Sequence, residues 1–256
     1  MSELAFSFGR IAAEYDDVRP EYAPEALDRA AEVLALNADS RVVDLAAGSG
    51  KLTRALATRF AEVVAVEPND EMRGVLAGRS ADIRVLAGTA ERMPLPDQFA
   101  DAVFVGDAFH WFDGEAAVAE IARVVRPGGG VALLWNHWWS DGDDQSVNTL
   151  DPPLPAEAQA LLDEPYVSSG RAAARANMAD PLVAFAGGSF GPLVEEAFPR
   201  TEQLSGAEVV DLYATVSAVA SLRPEQREEL KRSLRALLAP SYQLEITTVL
   251  HWTRRA

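Results

Sequence analysis

The sequence predicts an α/β fold: a doubly wound, mostly parallel sheet with helices on both faces and an insertion after the fifth strand. Three observations predict it. From residue 41, short apolar runs alternate with helical stretches. The runs carry few polar residues, as strands covered on both faces do. A glycine-rich turn, Ala47-Gly48-Ser49-Gly50, leads straight from the first run into a helical stretch, as in open parallel sheets that hold ligands at their strand ends. The 256 residues suit one such domain with an elaborated insertion.

Residues 1–40 read as helix, loop, helix. An apolar-periodic stretch from Leu4 to Ala13 leads to Tyr15. Arg19-Pro20-Glu21-Tyr22-Ala23-Pro24 reads as a loop, because each proline biases its predecessor away from helix. Helical periodicity resumes from Pro24 to Leu36, with proline near its start. The core, 41–136, then alternates. RVVDLAAG is a strand and KLTRALATRF a helix; EVVAVEP is a strand and NDEMRGVLAGR a helix. DIRVLAG and FADAVFVGD are the third and fourth strands, with a helix over Asp113–Val125. Arg126-Pro127-Gly128-Gly129 reads as a hard stop before a fifth strand, GVALLWN.

After Asn136 the alternation breaks. Residues 137–156 are rich in Asp, Gly, Ser and Pro and read as loop. Helices are expected over Ala156–Asp163 and around Arg171–Met178. We read 137–190 as a substrate-covering insertion or lid and 191–256 as the C-terminal part of the sheet and its helices. Within the latter, 193–204 is a strand, Glu208–Val219 and Pro224–Leu238 are helical, and Leu244–Thr253 alternates as a closing strand.

Composition narrows the function. The formal net charge of −16 opposes binding to nucleic acid or to anionic membranes. Cysteine is absent, which excludes disulfides, thiolate metal sites and cysteine nucleophiles. No spacing of histidines and carboxylates suggests a metal site. No run of eighteen apolar residues suggests a membrane helix, and MSELAFSFGRIAAEYDD lacks the long apolar stretch of an export signal. The cytoplasm is the expected compartment.

The strongest signal is Val42-Val43-Asp44-Leu45-Ala46-Ala47-Gly48-Ser49-Gly50. Glycines there let a backbone approach a ligand that a Cβ would push away. Glu67, at the end of the next run, falls on a neighbouring strand end, where its carboxylate can accept from both hydroxyls of a ribose. Three ligands compete for such a loop. A Walker phosphate loop is rejected, because leucines stand where it requires Gly and Ser or Thr: Leu45 and Leu52. A dinucleotide fingerprint is partial, since Thr53 replaces its third glycine. An S-adenosylmethionine loop fits at Asp44, Gly48 and Gly50, with Ala46 in place of its usual first glycine.

Residues 41–136 resemble class I S-adenosylmethionine-dependent methyltransferases, which have a Rossmann-like fold, through VVDLAAGSGKLT, VVAVEPNDEM, VLAGTAERMPLPD, FADAVFVGDAFHWFD and RVVRPGGGVALLW. AAEYDDVRPEYAPEAL and the terminal TTVLHWTRR are similar to the ends of a small-molecule subfamily of the trans-aconitate methyltransferase type. The resemblance implies methyl transfer to a small organic molecule by in-line displacement, with S-adenosylhomocysteine as product. It implies that Gly48 and Gly50 contact the methionine part of the cofactor, that Asp44 orients it beside Ala46, and that Glu67 binds the ribose. Pro68 and Met72 would pack beside the adenine, with Thr89, Ala90 and Glu91 contributing further adenine contacts. Asp107, Ala108 and Trp111 would lie near the sulfonium or face substrate, and Tyr15 and Arg19 would close the pocket from the N-terminal segment.

Trp111, Trp135, His137 and Trp138 are candidate substrate contacts; with Phe109, Phe112 and Trp139 the aromatic residues could line an apolar pocket, set against a plain core reading of the same cluster. A general base is needed only if the nucleophile must lose a proton; His137 and His110 are the candidates, and His251 reads as structural. Arg171 and Arg175 read as a solvated helix face rather than an anion site. Two alternatives stay open: a cofactor-binding enzyme with a different reaction, such as cyclisation, and a non-enzymatic cofactor-binding module. A nicotinamide oxidoreductase is the weakest reading.

Overall fold

The computed structural model describes residues 11–138, 150–168 and 179–256. Alternation in the sequence becomes a parallel sheet. Strands β1 (Arg41–Leu45), β2 (Glu62–Val66), β3 (Arg84–Leu86), β4 (Ala100–Gly106) and β5 (Val125–His137) stand in the order β3-β2-β1-β4-β5, all parallel. The reversal of strand order between β1 and β4 is the switch point at which ligands bind in open α/β sheets.

Helices cover both faces. On one, α2 (Pro24–Val33) and α3 (Lys51–Ala57) bury Leu27, Ala30, Leu52 and Leu56 against Val42, Phe104 and Leu134. On the other, α5 (Gly114–Val124) buries Ala117 and Ile121 against Val43, Val103 and Leu133. Val42 and Val43 are both fully buried, on opposite faces, which is why the run around them lacks alternation. Each such side chain contributes about 1.5–3 kcal/mol by leaving water. The helix α4 (Asp70–Arg79) sets Leu76 against Ala65 and Ala47, beside the first loop, and the Asn69 side chain caps it.

The antiparallel closure comes from β8 (Ser241–Arg254), which pairs with β5 on one side and with β7 (Val194–Ser205) on the other. Where β5 ends at His137, a two-residue strand β6 (Leu150–Asp151) takes over the pairing with β8. A third apolar cluster forms there. Trp138 and Leu150 meet Ala158 and Leu162 of α6 (Ala156–Ser168), together with residues of α8 (Gly206–Ala214), α9 (Ser217–Ala220) and α10 (Pro224–Leu237). A short helix α7 (Pro181–Ala184) packs near α5, and α1 (Ala12–Val18) bridges α4 and α8.

Several expectations change. Arg126-Pro127-Gly128-Gly129 does not stop the chain: β5 already begins at Val125, paired with Ala100, and the register shifts before Ala102 meets Gly130. The bulge absorbs the turn residues without ending the strand. The helix expected over Ala156–Asp163 continues through Pro165 to Ser168. That expected over Glu208–Val219 is two helices, α8 and α9, separated at Thr215 and Val216. The expected helix around Arg171–Met178 lies outside the described residues, as do most of Leu4–Ala13 and Trp139.

Candidate cofactor and acceptor cavity

At the carboxyl ends of β1, β2, β4 and β5 a cavity of about 370 Å³ opens. Its first wall is the loop after β1. Ala46 and Gly48 both have φ of +57°, and Gly50, with φ +92°, begins α3. A left-handed alanine costs about 1–2 kcal/mol, so Ala46 holds with strain a turn that glycine would make without it. A Cβ added to Gly48 would meet nothing within 4 Å. The space above that backbone belongs to the cavity.

Two acids back the loop. Asp44 is 1% exposed; its Oδ2 accepts from the Thr53 hydroxyl at 2.5 Å, and its Oδ1 is buried with no partner among the described residues. Burial lifts its carboxyl to about 7, against the Thr53 hydrogen bond, with the charge of Glu67 adding to the rise. Glu67 accepts from the Gly48 N–H at 2.9 Å and from the Asn69 N–H at 2.8 Å. Burial raises its carboxyl too, while those two backbone donors lower it. Each oxygen keeps a further lone pair for a ligand hydroxyl. Pro68 and Met72 continue this wall.

The opposite wall follows β4 and β5. Asp107 has φ of +49°, accepts from the Tyr22 hydroxyl at 2.9 Å and from the Asn136 N–H at 3.2 Å. Burial pushes its carboxyl up; the Arg19 charge and the Tyr22 hydrogen bond oppose the rise. Ala108, Trp111, Trp135 and Trp138 line the cavity, as do His110 and His137. His110 lies on a single 3₁₀ turn beside Trp111, with ring centroids 4.8 Å apart. His137 is the exposed last residue of β5, paired with Thr247. Trp138 is buried in the third cluster, edge-on to Tyr213.

A lid of N-terminal residues closes the cavity. Arg19 donates to the Thr215 hydroxyl at 2.9 Å and to its carbonyl at 2.8 Å, and its guanidinium lies 4.9 Å from the rings of Tyr15 and Trp138. Its donors therefore tie the N-terminal segment to the junction of α8 and α9. Asp16, behind it, accepts from Ser49 and Arg54 at 2.7 Å each and from Arg79.

Of the residues singled out from the sequence, Tyr15, Arg19, Asp44, Ala46, Gly48, Glu67, Pro68 and Met72 meet in this cavity with the residues of the opposite wall. Gly50, Thr89, Ala90 and Glu91 do not line it. Ala90 is in the core, Thr89 bridges to Arg92, and Glu91 accepts from the Asp113 N–H. Phe112 lines the cavity as expected and Phe109 lies in the core instead, while Tyr22, Asn136 and Ser217 line the cavity without having been expected there. Only Tyr22 left a usable signal, as an aromatic residue between two prolines. His251 is half of a structural pair, its Nε2 2.8 Å from Glu195, with its ring edge-on to Trp135.

A family model described as a methyltransferase domain matches residues 43–133. An uncharacterised methyltransferase-like protein of Schizosaccharomyces pombe is 30% identical over 229 residues, 89% of this chain and 84% of that protein. The chain belongs to the methyltransferase family. An uncharacterised methyltransferase of Mycobacterium tuberculosis is 46% identical over 134 residues, 52% of the chain. The chain spans about half of that relative, 54% of its length. The fold of this methyltransferase is shared with a candidate type II methyltransferase from Anaeromyxobacter dehalogenans, with a TM-score of 0.60 at 23% identity over 93% of this chain and 97% of that one. No described helix is long and apolar enough to cross a membrane.

Proposed function

We propose that this chain binds S-adenosylmethionine between the loop after β1 and Glu67, and transfers its methyl group to a small organic molecule. The observation that carries the reading is Asp44 Oδ1, a buried carboxylate oxygen without a partner among the described residues, beside a cavity into which Gly48 presents bare backbone. A buried acceptor of this kind calls for a donor, ideally a cationic one, and the methionine ammonium is such a group. Glu67 offers one further lone pair per oxygen to two ribose hydroxyls.

When bound, the cofactor supplies a methyl group on a positively charged sulfur, open to in-line displacement. The protein's part is to hold, orient and exclude water. Asp44 and Glu67 fix the two ends of the ligand, Trp111 and Trp135 offer apolar walls to an acceptor, and α1 covers the opening. Holding nucleophile and methyl in register is worth about 7–11 kcal/mol. The likeness of both chain ends to the trans-aconitate type supports a small acceptor, as does the acidic surface, which disfavours nucleic acid. The segment 137–190 contributes Trp138 to the cavity and α6 to the helical layer beyond it, which supports a covering role.

Calorimetry with S-adenosylhomocysteine and with NAD tests the reading. Binding of the first and none of the second is expected; NAD binding without S-adenosylhomocysteine binding overturns it.

A further inference from the structure

The wall facing the loop after β1 carries a hydrogen-bonded phenol–carboxylate pair, Tyr22 and Asp107. Tyr22 is 8% exposed and crosses directly over Gly106: a Cβ added there would lie 2.4 Å from the Tyr22 hydroxyl oxygen. The glycine lets the phenol reach Asp107, to which it donates at 2.9 Å. Asp107 itself is held at φ +49°, a left-handed aspartate, with its second oxygen fixed by the Asn136 N–H. Asn136 is held in turn by donating to the carbonyls of Pro20 and Glu21 and accepting from Thr248. Three segments thus converge to seat one carboxylate, at a cost in backbone strain, against one phenol.

The direction of these bonds decides what the pair can recognise. The single proton of Tyr22 is given to Asp107, so what its oxygen has left is acceptor capacity. Asp107 accepts one bond at each oxygen, and the capacity it keeps is likewise that of an acceptor. A group reaching the pair therefore has to be a donor. Among the described residues that line the cavity, Lys51 is paired with Glu21 at 2.7 Å, and the charge of Arg19, whose donors go to Thr215, already acts on the Asp107 carboxylate. The neighbouring walls, Trp111, Trp135 and Phe112, are aromatic.

Resting on the methyl-transfer reading above, we propose that Tyr22 and Asp107 form a proton-accepting pair that selects a neutral hydroxyl acceptor on a flat ring, a phenol, and disfavours a carboxylate. In the transfer step an oxygen lone pair of the acceptor forms the new O–CH₃ bond as the S–CH₃ bond breaks and its electron pair returns to sulfur. The acceptor's proton passes to Tyr22 Oη while the Tyr22 proton passes to Asp107 Oδ2, which later releases it to solvent. Tyr22 is the catalytic residue of the pair; Asp107 acts through it. Burial raises both groups: it keeps Tyr22 protonated, so that it relays a proton, and it makes Asp107 a better proton acceptor than a solvated carboxylate. The charged and titratable groups around them are Arg19 and Tyr15 from the N-terminal segment, Asp44 from β1 and His137 from β5.

The test uses the full chain labelled with [4-¹³C]aspartate and saturated with S-adenosylhomocysteine, probed by phenol and by benzoate. One aspartate carboxyl signal should titrate above the usual range, vanish in Asp107→Asn, and shift with phenol and not with benzoate. Tyr22→Phe should weaken phenol by about three- to tenfold, the equivalent of one neutral hydrogen bond, and leave S-adenosylhomocysteine affinity within threefold. Where phenol is turned over, Tyr22→Phe and Asp107→Asn should each slow transfer by about a hundredfold or more, and Asp107→Asn should abolish the rise of rate with pH. Benzoate acting as phenol does, no response of the carboxyl to phenol, or equal phenol binding in Tyr22→Phe overturns the proposal. The comparison of phenol with benzoate needs no variant, so it stands even if a substitution disturbs folding. Failure of the unaltered chain to bind S-adenosylhomocysteine would overturn the methyl-transfer reading instead.

Discussion

Asp44 carries a pH dependence whose sign can be worked out. Its carboxyl titrates at about 7 because it is buried, and an ammonium beside Oδ1 favours the charged form. Below pH 7 the site must lose a proton before it binds, so S-adenosylhomocysteine affinity should fall by about tenfold per pH unit below 7. Calorimetry from pH 5.5 to 8 checks this, and Asp44→Asn should flatten the profile and weaken binding. Glu67 is a different case. It supports two buried backbone donors, Gly48 N–H and Asn69 N–H, so Glu67→Ala would orphan them at about 1–3 kcal/mol each as well as removing the proposed ribose contacts. Glu67→Gln separates the two effects: one oxygen still accepts, the other becomes a donor facing a donor. We expect affinity for S-adenosylhomocysteine to fall by at least about tenfold, at 1.5–3 kcal/mol for each charge-assisted bond lost, with a measurable drop in melting temperature.

At the scale of elements, α1 is a strap tied at three points. Glu14 pairs with Arg227 at 2.7 Å and Lys231 at 3.0 Å on α10. Asp16 pairs with Arg54 and Arg79 on α3 and α4 and accepts from Ser49 in the loop after β1. Arg19 reaches Thr215. Burial alone would raise the Asp16 carboxyl, but the bonds from Arg54 and Ser49 win and hold it below the usual range. Its pairing therefore stabilises the fold above the ordinary aspartate pKa and is lost as pH falls through the depressed one. Its arginine partners keep about a third of their side-chain surface in water, so Asp16→Asn should cost about 1–3 kcal/mol, below the figure for a fully buried pair. Hydrogen exchange should then speed up over residues 12–18 and in the loop of Gly48, while the sheet stays protected.

How far elements could be read from the sequence follows from where their contacts lie. Val42–Leu45 and Val63–Val66 were legible because burial on both faces forces an apolar run. The loop of Gly48 and the acid at Glu67 were legible because they act across adjacent strands at short sequence separation. Strand β6 was not: two residues paired to Leu244 and Gln243 leave no periodicity. The length of α6 was hidden by Pro165, whose cost is outweighed by Ala158 and Leu162 in the third cluster. Arg19 meeting Thr215, 196 residues away, and Tyr22 meeting Asp107 over Gly106 have no local trace at all. They were decided by topology.

For the molecule as a whole, these ties couple ligand binding in the cavity to folding. The cavity is walled by β1, β2, β4 and β5 and closed by α1, which is itself anchored to the C-terminal helices. A ligand there that binds only the folded chain stabilises it by about 2.7 kcal/mol at a hundred times its dissociation constant. In a chain of this size that is a rise in melting temperature of about 5–10 °C. Asp44 adds a second feature. In the free protein its raised carboxyl favours the folded state at low pH, a contribution lost as pH rises toward 7, at about 1.4 kcal/mol per unit of elevation. Binding an ammonium reverses that preference. At one fixed concentration of S-adenosylhomocysteine, the rise in melting temperature should therefore be about twice as large at pH 8 as at pH 6, because tenfold in affinity is about 1.4 kcal/mol of the gain. Asp44→Asn should make the two rises equal. Scanning calorimetry at both pH values decides the matter: equal rises in the unaltered chain would place the ammonium away from Asp44, and the cofactor would have to lie differently in the cavity.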